Sequence, residues 1–265
     1  MENKMIKLIN VYENEWEFSD EGMDSSVYEA IDFWNAGKAE QAIKKLKTIL
    51  VKNPYHIDAY HHLSVFYEEV GMDFEAYLCC REAVRIGLSV IPNEFCWQSS
   101  GLSWMSMKNR PFLRAYYNLG LWLDRRGETD EAISIFSNIL SAGPGDNLGV
   151  RYLLPKLWLK KDDLSSVISH CEKFSDDCSP EIMYTYSLAL ALSGKTEQAQ
   201  KLLLEAKAEY PLVAKELLKK RHRKPKESPY GGITVGGADQ AYLYWKEYGE
   251  YWSSPIAQEL ISTSS

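Results

Sequence analysis

Apolar and polar positions recur with a helical period along most of the chain, and short turns that contain glycine divide the helical segments. Four of these turns carry nearly the same phrase, in which alanine follows glycine five positions later. The phrases GKAEQAIKKL, GMDFEAYLCC, GETDEAISIF and GKTEQAQKLL start at Gly37, Gly71, Gly127 and Gly194. Gly37 and Gly71 are 34 residues apart. Self-similarity at this period predicts a repeated unit of two helices.

The residue types in each phrase have separate physical roles. Glycine adopts the left-handed backbone of a tight turn between helices at little cost. The small alanine lets the second helix of the unit approach the first closely. Proline follows three of the glycines at a distance of 17 residues, at Pro54, Pro144 and Pro211, where it ends a helix. The pattern therefore predicts helix–turn–helix units.

This pattern resembles that of the tetratricopeptide repeat (TPR) family. The unit that starts near Leu113 carries the family's characteristic residues at Tyr116, Leu119, Gly120, Gly127, Ala132, Phe136 and Pro144. The resemblance implies an all-α fold, an α-solenoid of about five helix pairs in a right-handed superhelix with a helical C-terminal cap. One unit, at about 147–179, has KKDD in place of the glycine turn. We expect a kink in its first helix at Pro155, which lacks a backbone N–H.

A second resemblance covers residues 110–262. The segments RPFLRA and GDNLGVRYLL, together with the glycines and aromatic residues that follow Ser228, are similar to those of a group of bacterial and plant TPR proteins. That group is in turn similar to the suppression-of-tumorigenicity-7 proteins. The resemblance implies no particular reaction.

The repeats also predict how the chain is divided. Residues 1–22 are expected to form an N-terminal helical extension, and residues 23–211 the TPR-like solenoid. Residues 212–237 are expected to form a helix followed by a basic and glycine-rich linker. Residues 238–265 are expected to form capping helices, because a solenoid needs a polar cover on its last repeat.

Two segments of this division carry many aromatic residues. The interval from Gly71 to Gly127 is 22 residues longer than the period, which places an insertion at about 89–110. Its tryptophans and methionines favour an extended helix pair over a loop that closes on the groove. In the cap, an aromatic stripe at helical spacing is expected to cover the last repeat: Tyr242, Trp245, Tyr248 and Trp252.

Composition narrows the class of partner and the compartment. The formal net charge is −7, so the chain has no general attraction to nucleic acid or to anionic membranes. No apolar run approaches the length of a spanning helix, and the N-terminus does not resemble a secretory signal. The five cysteines form no CxxC pair. These features favour reduced thiols and a cytoplasmic protein.

Candidate chemistry is sparse. The stretch GPGDNLGVRYLL follows a predicted helix rather than a strand and lacks the lysine of a phosphate loop, so Asp146 and Asn147 are interpreted as turn and helix-capping residues. The neighbouring His61 and His62 point to different faces of a helix and do not form a metal site. We therefore predict no catalytic, cofactor-binding or metal-binding residues, and a protein that is not an enzyme.

The TPR resemblance implies a binding groove lined by the first helices of successive units. The family's groove positions fall in this chain on Trp34, Asp58, His61, Glu68, Arg114, Tyr117, Asp124, Arg151, Trp158 and Tyr184. Aromatic residues and arginine are typical anchors of a peptide site. The expected partner is a protein or peptide that the sequence does not identify, bound by a scaffold or adaptor. The alternative is that the C-terminal helix occupies the groove.

A basic run supports a second functional hypothesis. Cations are dense from Lys219 to Lys226. Such a run is typical of a solvated helix end, where cations complement the helix dipole, and it could also bind an acidic protein or phosphates. The run has no interleaved aromatic residues for stacking on bases, so nucleic acid is the less expected partner. The alternative function is a regulatory or nucleic-acid-associated protein that uses residues 219–226. The sequence leaves the oligomeric state open.

Overall fold

The computed structural model of the protein describes residues 6–19, 25–226 and 231–263. The chain divides into two compact units, Met1–Val150 and Arg151–Ser265. In these ranges, five pairs of packed helices follow one another, three in the first unit and two in the second. The predicted all-α solenoid of TPR-like helix pairs is thereby confirmed. None of the helices in the described ranges is long and apolar enough to span a membrane.

The first unit contains the first three helix pairs. Its helices are α1 (Ser25–Asn35), α2 (Ala39–Lys52), α3 (Ile57–Glu69), α4 (Asp73–Ser89), α5 (Arg110–Arg125) and α6 (Thr129–Ala142). The first helices of the pairs also contact one another, because α3 packs against both α1 and α5. A cluster of apolar side chains from α1 to α5 fills the space between these helices.

The glycine–alanine phrase forms the turns that the sequence predicts. The four glycines have φ angles of 73°, 78°, 80° and 81° in chain order, in the left-handed region. The alanine five positions after each of them is 0% exposed, so there is no room for a larger side chain. Gly120 on α5 is also a packing position, since a Cβ there would lie 2.7 Å from the ring of Phe136 on α6.

The predicted helical extension at residues 1–22 is wrong where the structure describes it. Residues 8–18 form an antiparallel hairpin of β1 (Leu8–Tyr12) and β2 (Glu15–Phe18). The physical reason is a period of two: Leu8, Trp16 and Phe18 are buried, and Ile9 and the facing Glu17 are not. Asn109 holds the hairpin on the helices, because its side chain bonds the backbone of both Trp16 and Phe18.

The favoured extended helix pair in the insertion is also wrong. Helix α4 ends at Ser89 and α5 begins at Arg110, and residues 90–109 form an irregular loop. Aromatic residues are present because the loop has a core of its own. Trp97 stacks on Tyr116 with ring centroids 5.4 Å apart, and Phe95 meets Trp16 of the hairpin at 5.8 Å. The loop thus joins the hairpin to α5.

The second unit contains two helix pairs and a helical C-terminal part. Its helices are α7 (Leu154–Lys160), α8 (Leu164–Lys173), α9 (Pro180–Leu192), α10 (Thr196–Glu209), α11 (Pro211–Leu217), α12 (Ala238–Trp252) and α13 (Pro255–Thr263). In the KKDD turn, Asp162 takes the left-handed backbone that glycine has in the other repeats, with φ of 54°. The degenerate repeat therefore keeps the turn geometry without the glycine.

The predicted kink at Pro155 is wrong. Residues Val150–Tyr152 form a short 3-10 turn, and α7 begins only at Leu154, so Pro155 lies in the first turn of the helix. The N–H groups of a first turn have no partner within the helix, and proline is therefore tolerated there without a kink.

Helix α12 covers the first helices of the second unit. It packs on α11 and contacts both α7 and α9. Its buried stripe is Ala241, Tyr244, Tyr248 and Trp252. Tyr248 and Trp252 are as predicted, whereas Tyr242 and Trp245 are only half-buried and Tyr244 lies on the buried face instead. In this unit the first-helix surface is occupied by the chain itself.

Candidate functional site

The first helices of the first unit present a continuous polar and aromatic surface. Three hydrogen-bonded or ionic pairs join them: Trp34 of α1 with Glu69 of α3, Asp58 of α3 with Arg114 of α5, and Glu68 of α3 with Arg125 of α5. We call the surface formed by these six residues the first-helix face. Each pair bridges neighbouring repeats, so the face is held by contacts between units of the solenoid.

The Asp58–Arg114 pair forms the N-terminal end of the first-helix face. Nη2 of Arg114 donates to Oδ1 of Asp58 at 2.8 Å, and the Asp58 side chain is 10% exposed. The Arg114 side chain is 35% exposed, whereas its Nε is buried and has no hydrogen-bond partner among the described residues. The guanidinium is therefore anchored, and about a third of the side chain faces solvent. Nε2 of His62 lies 3.6 Å from the same carboxylate oxygen.

His61, another predicted groove residue, is buried behind this pair. Its Nδ1 has no hydrogen-bond partner among the described residues. Burial, with the nearby His62 and Arg114, holds the pKa of His61 well below its usual value. Burial also lowers the pKa of His62, although the Asp58 carboxylate opposes the shift. Both histidines are therefore neutral near pH 7.

The other two pairs carry the aromatic part of the face. The Trp34 ring stacks on Phe66 with centroids 4.1 Å apart, and its indole N–H donates to Glu69. Nη1 of Arg125 donates to Oε1 of Glu68 at 2.5 Å, and its guanidinium lies 4.1 Å from the centre of the Trp122 ring. Charged groups here are thus backed by flat aromatic surfaces.

Tyr117 and Asp124, both on α5, are half-buried. The Tyr117 ring lies 5.7 Å from that of Phe136. Burial, assisted by the Asp146 carboxylate, raises the pKa of the Tyr117 hydroxyl. Neither residue belongs to the three bridging pairs, and each remains a predicted contact on the same helix as Arg114.

Arg151 and Trp158 form a separate cluster in the second unit. Nε of Arg151 lies 2.9 Å from Oδ2 of Asp177, and its guanidinium lies 4.9 Å from the centre of the Tyr152 ring. His170 joins the two predicted residues: its Nε2 donates to the carbonyl oxygen of Arg151 at 2.8 Å, and its ring is 5.0 Å from that of Trp158. Most of this cluster is engaged in internal contacts.

The prediction that Tyr184 contacts a partner needs correction. Its side chain is 0% exposed, and its hydroxyl donates to the carbonyl oxygen of Tyr210 at 2.7 Å. The rings of Tyr244 and Trp252 cover it at 5.6 and 6.2 Å. The repeat register places Tyr184 on a first helix as expected, but α12 fills the space in front of it.

The sequence reasoning missed two residues of the first-helix face, Glu69 and Arg125. Each follows a predicted groove position by one residue, Glu68 or Asp124. The available signal was the opposite charge at the ends of neighbouring first helices, where glutamates on α3 face arginine on α5. The family's groove positions alone do not include these neighbours.

The basic segment 219–226 is fixed at its start. Glu216 on α11 is 3% exposed and accepts hydrogen bonds from Lys219 and from Nδ1 of His222. The His222 ring stacks flat on Trp245 of α12, with centroids 3.6 Å apart. Lys220, Arg221, Arg223, Lys224 and Lys226 are exposed. Lys219 and His222 therefore bond to Glu216, and the other five cations of the segment are exposed to solvent.

A cavity of about 450 Å³ in the first unit is lined partly by the GPGDNL stretch. Asp146 has φ of 45°, and its Oδ1 accepts the N–H of Val150 at 2.8 Å, which confirms the interpretation of Asp146 as a turn residue. The predicted capping of the next α-helix is not observed, because the N-cap of α7 is Leu153, without a side-chain hydrogen bond. The charged side chains of the lining are Glu15 and Asp146. Within the described ranges, no group of three histidines, cysteines or carboxylates is placed to hold a metal ion.

Comparison with known proteins identifies the family. The family model described as transcriptional repressor TCF25 matches residues 27–232, and the chain belongs to this family. The predicted resemblance of residues 110–262 to the suppression-of-tumorigenicity-7 group is not confirmed. Among curated proteins, none matches the chain.

Several solved structures have a similar fold. Two structures of MamA have TM-scores of 0.52. In the first, the sequences are 18% identical and the match covers 70% of this chain and 96% of MamA. In the second, they are 17% identical and the match covers 76% of this chain and 100% of MamA. YrrB, a TPR protein with an unusual peptide-binding site, is 14% identical, covers 83% of this chain and 90% of its own, and has a TM-score of 0.50. At these identities the likeness shows a shared TPR fold.

Proposed function

We propose that this member of the TCF25 family is a protein-interaction scaffold without catalytic activity, which binds a peptide or helix of a partner protein on the first-helix face. We place it in the cytoplasm. The proposal is in keeping with YrrB, which has the same kind of fold and a peptide-binding site. The evidence for the proposal, however, comes from the residues of the first-helix face.

The observation that carries the proposal is the state of Arg114. Its guanidinium is fixed by Asp58 at 2.8 Å, yet about a third of the side chain is exposed. An arginine already held in one conformation loses little entropy when it binds, and arginine is among the residues that contribute most at interfaces. Arg114 is therefore prepared to bond a carboxylate or a carbonyl oxygen of a partner.

The remaining residues of the face suggest how a peptide would lie. The half-buried Trp34 ring, which stacks on the buried ring of Phe66, offers a flat apolar surface on α1. Arg125 and Glu68, with exposures of 49% and 32%, offer a charged pair between α3 and α5. A segment with an apolar anchor for Trp34 and an acidic or amide side chain for Arg114 matches this arrangement.

Affinity capture with charge-reversed variants tests the proposal. Proteins captured by the wild type are divided into overlapping synthetic peptides, and peptide binding is measured by fluorescence anisotropy. Arg114→Glu is expected to weaken binding at least tenfold, because it removes the donor and adds repulsion from Asp58. The matched control is Arg85→Glu on the second helix α4, where Arg85 is 60% exposed and paired with Glu82. Equal binding by both variants would exclude the first-helix face.

The basic segment supports a second candidate, a nucleic-acid-associated regulatory role. Its support is the exposure of five cations, Lys220, Arg221, Arg223, Lys224 and Lys226, together with the family's description as a transcriptional repressor. Changing all five to glutamine should abolish salt-sensitive binding to labelled DNA or RNA if this role is correct. Since Lys219 and His222 keep their contacts with Glu216, the fold around the segment is preserved in that variant.

A further inference from the structure

The β-hairpin has one edge that is satisfied and one that is open. In the register, Leu8 faces Phe18, Ile9 faces Glu17 and Asn10 faces Trp16. The N–H of Ser19 donates to the carbonyl oxygen of Lys7 at 2.7 Å, which makes Lys7 and Ser19 a hydrogen-bonded pair. Because hydrogen-bonded and non-bonded pairs alternate in antiparallel strands, the backbone groups of Leu8 and Asn10 point away from β2.

Three of the four backbone groups of Trp16 and Phe18 on the outer edge of β2 are hydrogen-bonded. The N–H of Phe18 donates to Oδ1 of Asn109 at 3.0 Å, and Nδ2 of Asn109 donates to the carbonyl oxygen of Trp16 at 3.0 Å. The N–H of Trp16 donates to the carbonyl oxygen of Gly101 at 2.9 Å. These bonds fix the hairpin to the 90–109 loop and to the start of α5.

The outer edge of β1 has no such cover. No residue in the ranges 6–19, 25–226 and 231–263 bonds the backbone N–H or C=O groups of Leu8 and Asn10 that face away from β2. Leu8 is buried, but the other three apolar side chains of the strand are exposed: Ile9 by 44%, Val11 by 48% and Tyr12 by 69%. An open edge with exposed apolar residues is a template for another strand.

We propose that β1 pairs antiparallel with β1 of a second copy of this chain, which extends the two hairpins into one four-stranded sheet. In this register, Leu8 lies opposite Asn10 of the second copy, and their open backbone groups make four hydrogen bonds across the two-fold axis. Ile9 lies on the axis and faces Ile9 of the second copy, which covers its exposed side chain.

Charge at the two ends of the strand favours a second copy as the occupant. Exposed Lys7 precedes β1 and exposed Glu13 follows it. Antiparallel self-pairing brings Lys7 of each copy toward Glu13 of the other, whereas parallel pairing would oppose like charges. A five-residue strand buries much less than the roughly 1,200 Å² of a stable interface, so the dimer is weak. A dissociation constant on the order of 100 µM is expected.

Sedimentation of the full chain at rising concentration tests the pairing. The wild type should form dimers, and both Ile9→Lys and Ile9→Glu should remain monomeric because like charges meet on the two-fold axis. An equal mixture of these two variants should dimerise again, which a general loss of folding could not produce. Phe74→Lys, at an equally apolar but separate exposed position on α4, should leave the dimer unchanged.

Three results would overturn the proposal. The wild type could stay monomeric up to about ten times the expected dissociation constant. The dimer could persist in Ile9→Lys, which would place the contact elsewhere. The wild type could stay monomeric and instead bind extended synthetic peptides in a manner blocked by Ile9→Lys, which would make a foreign strand the occupant of the edge.

Discussion

Arg114 and Asp58 join α5 to α3 through a hydrogen bond of 2.8 Å between Nη2 and Oδ1. The aspartate is almost fully buried, and about a third of the arginine side chain is exposed. The pair therefore has two roles. It neutralises a buried carboxylate between two repeats, and it presents an oriented guanidinium on the first-helix face.

The structural role of the pair can be measured by a double-mutant cycle. Arg114→Ala leaves the Asp58 carboxylate without its cationic partner, and we expect it to lower the free energy of unfolding by about 1–3 kcal/mol. In an Asp58→Asn background the same change should cost less, because no buried charge remains. Urea unfolding of the four proteins gives the coupling energy. Additive effects would show that the pair contributes nothing as a pair.

The buried histidine predicts a pH dependence. Folded His61 resists protonation because its pKa is well below the usual value. In the unfolded chain the side chain has its ordinary pKa of about 6.5. Below that pH the unfolded state binds more protons, so stability should fall as the pH is lowered from about 7 to 5. The slope from one histidine is at most about 1.4 kcal/mol per pH unit.

His61→Phe should reduce this slope. The substitution removes the titrating group and the unpartnered Nδ1 while it keeps an aromatic ring of similar size. Urea unfolding at several pH values between about 5 and 7 measures the slope for both proteins. A variant with the wild-type slope would show that other groups cause the acid sensitivity.

The turns of the solenoid were predictable because their chemistry is local. Glycine at a left-handed turn and alanine at a helix crossing leave a fixed spacing in the sequence, and the structure confirms both at all four repeats. The hairpin was missed although its residues alternate, because Leu8–Phe18 is short and its charged positions also suit a helix. The 90–109 loop was missed because its core depends on contacts with the hairpin.

The degenerate turn offers a stabilising change. Asp162 has φ of 54°, a conformation that costs an ordinary residue about 1–2 kcal/mol. Asp162→Gly removes this cost and adds flexibility to the unfolded chain, so a net gain of about 0.5–1 kcal/mol is expected. The opposite kind of change, Gly127→Ala, should destabilise the protein. A Cβ at Gly127 has open space around it, so the cost comes from the left-handed backbone alone.

Thermal unfolding of these two variants tests the turn argument. Asp162→Gly should raise the melting temperature and Gly127→Ala should lower it. If Asp162→Gly is destabilising, the Asp162 side chain makes a contribution to the turn that exceeds its backbone strain.

The packing of α12 on the second unit predicts a large effect at Trp252. This side chain is 1% exposed, and its indole N–H donates to the Tyr244 hydroxyl at 3.1 Å. Trp252→Ala should cost about 3–5 kcal/mol and expose Tyr184 on α9. Leu243→Ala on the exposed side of α12 is the control, with an effect within about 0.5 kcal/mol.

Hydrogen exchange localises the effect of Trp252→Ala. Peptides from α9 and α12 should exchange faster in this variant and at the wild-type rate in Leu243→Ala. Unchanged protection of α9 in Trp252→Ala would show that α12 does not stabilise the first helices of this unit.

The candidate site was only partly predictable. Repeat register places Trp34, Glu68 and Arg114 on neighbouring first helices, and the structure brings their pairs together. Register does not reveal what lies in front of a helix. Tyr184 has the right position and is buried, because its cover comes from α12, about 60 residues further along the chain.

Site-specific photocrosslinking in cells tests the central claim most directly. A benzophenone amino acid replaces Tyr117 on the first helix α5 or, in a matched protein, Phe74 on the second helix α4, where Phe74 is 71% exposed. A partner bound on the first-helix face should give an adduct from position 117 that disappears with Arg114→Glu. An adduct from position 74 alone, or one from position 117 that Arg114→Glu leaves unchanged, would contradict this account.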